Sequence, residues 1–220
     1  MQALVRLFGS PIRKGVQWYL RKPREFNYGT IKLIVAPGVF HPGFFFSTRY
    51  VLEFLNKQNL GGQRFLEVGC GSGIISILAA QKGADVTAID INRKAVTNTI
   101  ENAARNTVKV QVTTSDLFDN VLPIRFSWIV INPPYYPADA KTEEEYAWNC
   151  GLNHQYFEKL FGRLGSFLTP ESKILIVLSD VCDLKTIFAI AAANRFLFEK
   201  ISERKVWADG RNYLFWIKQA

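Results

Sequence analysis

Apolar residues along the chain follow two alternating rhythms. Short runs such as "RFLEVG", "FSWIVIN" and "KILIVLSD" are apolar almost throughout, while the stretches between them repeat an apolar residue every three or four positions. The first rhythm is that of a strand buried on both faces, the second that of an amphipathic helix. Together they predict strands over 30–36, 64–69, 84–90, 108–116, 126–132 and 173–180, and helices over 48–57, 73–83, 93–106, 153–168 and 184–194. In the first of these helices Tyr50, Val51, Phe54 and Leu55 share one face. Strand and helix alternating in this way predict an α/β fold, a doubly wound and mostly parallel sheet covered on both sides. Residues 201–218 break the rule. They read as two strands joined through Asp209-Gly210, a dipeptide suited to a tight turn, so the parallel sheet is expected to end in an antiparallel hairpin.

Charge divides the chain where the apolar pattern begins. Lys and Arg total 27 against 19 acids, and six of those cations precede the first acid, Glu25, so six of the eight excess charges lie in the first 24 residues. Two parts are expected: a basic, helical arm over 1–28 and one domain over 29–220. With Trp18 and Tyr19 among its cations the arm suits contact with RNA or the ribosome, although a solvated helix packed on the domain fits it too. The three cysteines have no metal-ligand spacing and suggest neither a disulfide framework nor a metal site, which fits a reducing, cytoplasmic setting. No apolar run is long enough to span a bilayer. A monomer is expected.

Candidate chemistry gathers at the carboxyl ends of the predicted strands, where open α/β sheets hold their ligands. In "LEVGCGSGIIS" the glycines Gly69, Gly71 and Gly73 sit between a strand and a helix, where a missing Cβ permits a sharp turn and close approach to a ligand. Their GxGxG spacing differs from the dinucleotide fingerprint GxGxxG. Glu67, two residues earlier, would repel a pyrophosphate and instead suits a cationic ammonium group. Asp90 and its neighbour Ile91 end the next strand, where the carboxylate suits ribose hydroxyls. Asp116 suits an adenine amino group, with Leu117 against the ring. Ammonium, ribose and adenine together describe S-adenosylmethionine.

The strand "FSWIVI" stops at "NPPY". The side-chain carbonyl of Asn132 and the backbone carbonyl of Pro133 are two acceptors that can face the N–H groups of a planar amide or nucleobase amine. Such acceptors favour a pyramidal nitrogen and stabilise the positive charge that develops on it during methyl transfer. Pro133 and Pro134 stiffen the loop, and Tyr135 offers a flat surface for the acceptor. Phe40 and Phe44 to Phe46 suit either a lid or core packing. Glu143 to Glu145 favour a protein acceptor over a phosphate-bearing one, and Thr142 with Glu145 fits a helix capping box. His41 and His154 read as turn and helix residues rather than catalysts.

From Glu67 to Asn106 the chain resembles motif I and its sequel in class I S-adenosylmethionine-dependent methyltransferases, and the likeness extends roughly from Val39 to Lys218. The resemblance implies a seven-stranded sheet ending in an antiparallel pair. Within that class "NPPY" is similar to the HemK-like glutamine methyltransferases, which modify translation release factors, and "PGVF" to the MTS group of RNA guanine methyltransferases. Arg49 follows Thr48 where HemK-like enzymes usually carry an acid. The expected function is N-methylation of a planar amide or amine nitrogen: a protein glutamine first, an RNA base amine as the alternative. A non-catalytic module that keeps the cofactor pocket and holds RNA or a ribosomal partner is the further alternative.

Overall fold

The computed structural model describes residues 19–207 and 210–220. Among these, seven strands form one sheet: β3 (Arg64–Val68), β4 (Asp85–Asp90), β5 (Gln111–Thr114), β6 (Phe126–Ile131), β7 (Leu168–Ser179), β8 (Phe196–Val206) and β9 (Gly210–Gln219). Their order is β5-β4-β3-β6-β7-β9-β8, with β9 antiparallel to both its neighbours and the other pairings parallel. The doubly wound, mostly parallel sheet ending in an antiparallel hairpin is the one the sequence pattern calls for. The Asp209 half of the expected turn lies outside the described residues.

Continuous apolarity in the central strands has a direct cause. Leu66, Ile129, Ile131, Ile174 and Ile176 enter one core, against Phe157, Leu160 and Phe161 of α4 (Gln155–Leu164) and Ile187 and Ile190 of α5 (Leu184–Ala193). Phe65, Trp128, Val130, Leu175 and Val177 enter the other, against α1 (Phe46–Asn56) and α2 (Ile74–Gln81). Alternate side chains of one strand thus fill different cores, so neither set can be polar.

A separate two-stranded sheet departs from expectation. β1 (Arg24–Tyr28) pairs antiparallel with β2 (Ile31–Val35), so the last five residues assigned to a helical arm form a strand instead. Phe26 and Tyr28 pack inward while Glu25 and Asn27 face water, a period of two that selects a strand. Residues 1–18 of the expected arm lie outside those described.

The other edge of β2 is met by a helix, α3 (Arg93–Arg105). Asn98 and Asn102 on that helix, and Asn106 at its C-cap, stand at four-residue spacing and work as a ladder. Asn106 accepts the N–H of Lys32 and donates to its carbonyl, at 2.9 and 2.8 Å. Asn102 does the same for Ile34 at 2.9 and 3.1 Å. Asn98 accepts from Ala36 at 3.1 Å and donates to Ile34 at 2.8 Å. Three carboxamides thereby satisfy the backbone groups that a neighbouring strand would otherwise pair. The ladder fixes the hairpin, and with it the following segment 36–46, against the body of the domain.

Candidate active site

β3 and β6 lie side by side, Val68 opposite Ile131, so the turns that follow them start from adjacent positions. From these strands the sheet continues in opposite directions, and at such a switch point the loops part and leave a crevice. Here it is a cavity of about 450 Å³.

The glycine turn forms one wall. Gly69, Gly71 and Gly73 have φ of 80°, 54° and 83°, conformations that side chains rarely tolerate. Gly69 and Gly71 line the cavity, but Gly73 does not. A Cβ at Gly73 would lie 2.8 Å from Thr99 Cγ2, so this glycine serves the close packing of α2 on α3 rather than contact with a ligand.

Glu67 is buried beneath the turn, where its carboxylate accepts the N–H of Ser76 at 2.8 Å and also the Ser76 hydroxyl. It therefore caps α2, whose first residue follows a glycine with no side chain to do so. Burial pushes the Glu67 pKa up to about 8 against the pull of these hydrogen bonds, and nearby Asp90 adds to the rise. Asp90 accepts the N–H of Gly71 on Oδ2 and that of Asn92 on Oδ1, both at 2.9 Å. Burial raises its pKa also. Each oxygen retains capacity for a further donor.

At the end of β5, Asp116 and Leu117 line the cavity together with Ile91. Lys159 of α4 donates to Asp116 Oδ2 at 2.6 Å and to Asp119 at 2.6 Å. Leu117 has a φ of 51°, and Ser115 steadies the turn by donating to its carbonyl at 2.6 Å and accepting the N–H of Asn120 at 2.9 Å.

Asn132, Pro133, Pro134 and Tyr135 form the opposite wall. Asn132 is held at both ends of its amide: Nδ2 donates to Thr48 Oγ1 and Oδ1 accepts from the Tyr135 hydroxyl, each at 3.4 Å. The backbone N–H groups of Tyr135 and Tyr136 both donate to the Trp148 carbonyl, at 3.0 and 2.8 Å, which ties the turn to the segment beyond it. Across the mouth, Phe40, Phe45 and Trp148 touch pairwise with ring centroids 5.0 to 5.4 Å apart. The four phenylalanines of the lid reading therefore divide. Phe40 and Phe45 line the cavity, Phe44 is exposed, and Phe46 packs on Tyr50.

Eleven of the twelve predicted site residues thus meet at one cavity, Gly73 being the exception. His41 lies between Phe26 and Phe44 and His154 starts α4; neither lines it. The expected capping box is not formed. Thr142 makes no side-chain cap, and Glu145 accepts instead from the backbone N–H of Lys141 at 2.7 Å. Glu144 pairs with Lys94 at 2.9 Å. Sequence reading missed Thr48, Lys159 and Trp148.

The sequence profile of the methyltransferase small domain matches residues 30–189. The chain belongs to that family. S-adenosylmethionine is the cofactor of this methyltransferase. Over 157 residues it is 40% identical to a candidate protein N5-glutamine methyltransferase of Methanocaldococcus jannaschii, covering 69% of the chain and 77% of that relative. The fold is shared with the E. cuniculi Mtq2–Trm112 complex, which methylates the eRF1 termination factor (TM-score 0.63, 15% identity, 83% and 99% of the two chains). It is shared also with the T. thermophilus 16S rRNA methyltransferase RsmC, solved with AdoMet and guanosine (TM-score 0.64, 17% identity, 90% and 50%). In sequence the match spans about half or less of the length of the curated ribosomal RNA and ribosomal protein methyltransferases. Among the described residues no helix is long and apolar enough to cross a membrane.

Proposed function

We propose that this methyltransferase transfers a methyl group to the nitrogen of a planar carboxamide, a glutamine side chain of a protein. One observation carries the reading: the carbonyl-bearing Asn132–Pro133 corner lines the same cavity as Glu67, Asp90 and Asp116. The residues present fit the cofactor. Glu67 suits its ammonium group, Asp90 the ribose hydroxyls, and Asp116 the adenine amino group, with Ile91 and Leu117 as apolar surfaces beside the rings. Lys159 occupies one oxygen of Asp116 and leaves Oδ1 to accept. When bound, S-adenosylmethionine supplies a methyl carbon made electrophilic by its sulfonium.

The chain's part is to position and polarise the acceptor. An amide nitrogen is a weak nucleophile because its lone pair is delocalised. Asn132 Oδ1 and the Pro133 carbonyl accept its two N–H groups, which favours the pyramidal form and stabilises the charge that develops on it. Tyr135 backs the plane of the amide, and the aromatic ring set at the mouth excludes water, strengthening both hydrogen bonds. The proton leaves after transfer, so no residue needs to act as a base.

A glutamine acceptor is supported by the 40% identical relative, which the chain covers for most of its length. It is supported also by the acids Asp139, Glu143 and Glu145 beside the mouth, which repel phosphate. An RNA base amine is the second reading, favoured by the shared fold with RsmC. The test is incubation with labelled S-adenosylmethionine and a cell extract treated with nuclease or protease, followed by mass spectrometry of the labelled product. Label that survives nuclease and maps to methylated glutamine is expected; label lost to nuclease selects the RNA reading. Asn132→Ala should reduce transfer about a hundredfold while cofactor affinity stays within twofold. Full activity in that variant refutes the mechanism, and a wild-type protein that binds the cofactor but labels neither fraction leaves the non-catalytic reading.

A further inference from the structure

The β8–β9 hairpin carries a feature that methyl transfer does not use. Its two strands run past the end of β7. Ser179, the last residue of β7, is opposite Asn212, and the N–H of Asp180 donates to the Arg211 carbonyl at 2.9 Å. Ser179 and Val181 line the cavity and Asp180 between them abuts Gly210 at the start of β9, so the hairpin tip is next to the cavity rim.

Lys205 and Arg211 are directly opposite each other across the two strands near that tip. Like charges so placed are unfavourable, and among the described residues no ion pair relieves both. Arg211 pairs with Glu203 at 3.1 Å, but Glu203 is shared with Lys200 at 2.9 Å. Lys205 makes no ion pair among the described residues. On the other side of the hairpin Arg204 shares Glu53 with Arg49. Glu203 and Glu53 are thus each divided between two cations. Two residues beyond Lys205, in the turn that follows β8, Trp207 is 97% exposed.

We infer that the tip of this hairpin, Lys205, Trp207 and Arg211, is a contact surface for single-stranded RNA held beside the active-site mouth. An exposed indole provides the face on which a base stacks, and two adjacent cations, Lys205 without an ion pair among the described residues and Arg211 on an acid it shares with Lys200, provide the charge that phosphates require. The exposed indole beside the like-charged pair favours a stacked base over an acidic peptide, which would use the cations alone. The acids beside the mouth, Asp139, Glu143 and Glu145, disfavour phosphates there, whereas the hairpin tip offers cations. This inference does not depend on which nitrogen is methylated, since a protein acceptor can be presented on an RNA-containing particle.

The test is fluorescence anisotropy with a labelled, mixed-sequence single-stranded RNA and the full chain, at several salt concentrations. Trp207→Ala should weaken binding about tenfold, the effect of removing one stacked base. The double variant Lys205→Gln/Arg211→Gln should weaken it further and reduce the slope of log K against log salt by about 1.4, or 0.7 for each phosphate that is no longer neutralised. Melting temperature and affinity for S-adenosylhomocysteine should stay at the wild-type values in all variants. RNA that does not bind, or that binds the variants as tightly as the wild type, overturns the inference. So does a loss of transfer to an RNA-free protein with RNA binding unchanged, which would assign the surface to a protein partner.

Discussion

Binding of S-adenosylhomocysteine at pH 7 should release nearly one proton, and that proton should come from Glu67. A carboxyl with its pKa raised by burial to about 8 is about nine-tenths protonated at pH 7. An ammonium group placed beside it reverses the balance of charge and returns it to the carboxylate form, so about 0.9 proton leaves per ligand bound. Isothermal titration in buffers of different ionisation enthalpy reads this number as the slope of observed heat against buffer enthalpy. Glu67→Gln keeps the shape of the side chain and removes the proton, and the slope should fall to zero. The ligand-free protein gives an independent check. Because the folded-state value lies above the ordinary 4.5, the unfolded chain ionises first. Glu67's contribution is complete below pH 4.5 and is lost as pH rises toward 8, at a slope approaching about 1.4 kcal/mol per pH unit. Glu67→Gln should flatten that part of the stability profile. A wild-type proton slope of zero, or one that survives in the variant, refutes the assignment of Glu67 to the ammonium group.

Asn102→Leu should destabilise the domain by about 2–4 kcal/mol in urea titration, because it strands the N–H of Ile34 and removes donors to the carbonyls of Ile34 and Ser72. Amide exchange should quicken across β1 and β2 before it does in the large sheet. Gly73→Ala should cost about 1–3 kcal/mol through a strained φ and a clash with Thr99, and Thr99→Ala in the same chain should recover part of the stability. Thr48→Val removes the acceptor that orients the Asn132 amide, so kcat should fall about tenfold with cofactor affinity unchanged, and Thr48→Ser should restore it.

Much of this molecule can be read from residues close together in sequence. The strands of the large sheet announce themselves because each must feed two cores, and the carboxyl-end positions of Glu67, Asp90, Asp116 and Asn132 follow once the strands are placed. What escaped depends on contacts between distant segments. Thr48 matters only because Asn132, 84 residues later, is folded against it. Lys159 reads as one more exposed helix cation until α4 brings it to Asp116. Gly73 belongs to the same glycine spacing as its neighbours, and only the position of Thr99 shows that its task is packing. β1 was hidden because five residues with two aromatics, set among cations, carry too little periodicity to outweigh the charge around them. The asparagines of α3 are the most instructive case. A polar residue every fourth position on a helix ordinarily marks the side facing water, yet Asn98 and Asn102 are buried.

That ladder has a built-in length limit. Four residues of helix advance about 6.0 Å along its axis, while two residues of strand advance about 6.6–6.8 Å. The mismatch of about 0.7 Å per rung is absorbed easily by flexible carboxamides over the three rungs from Lys32 to Ala36 and would exceed their reach after a few more. A helix can therefore stand in for a strand only over a short distance, and a β2 much longer than its five residues would have an outer edge open to pairing with a second chain.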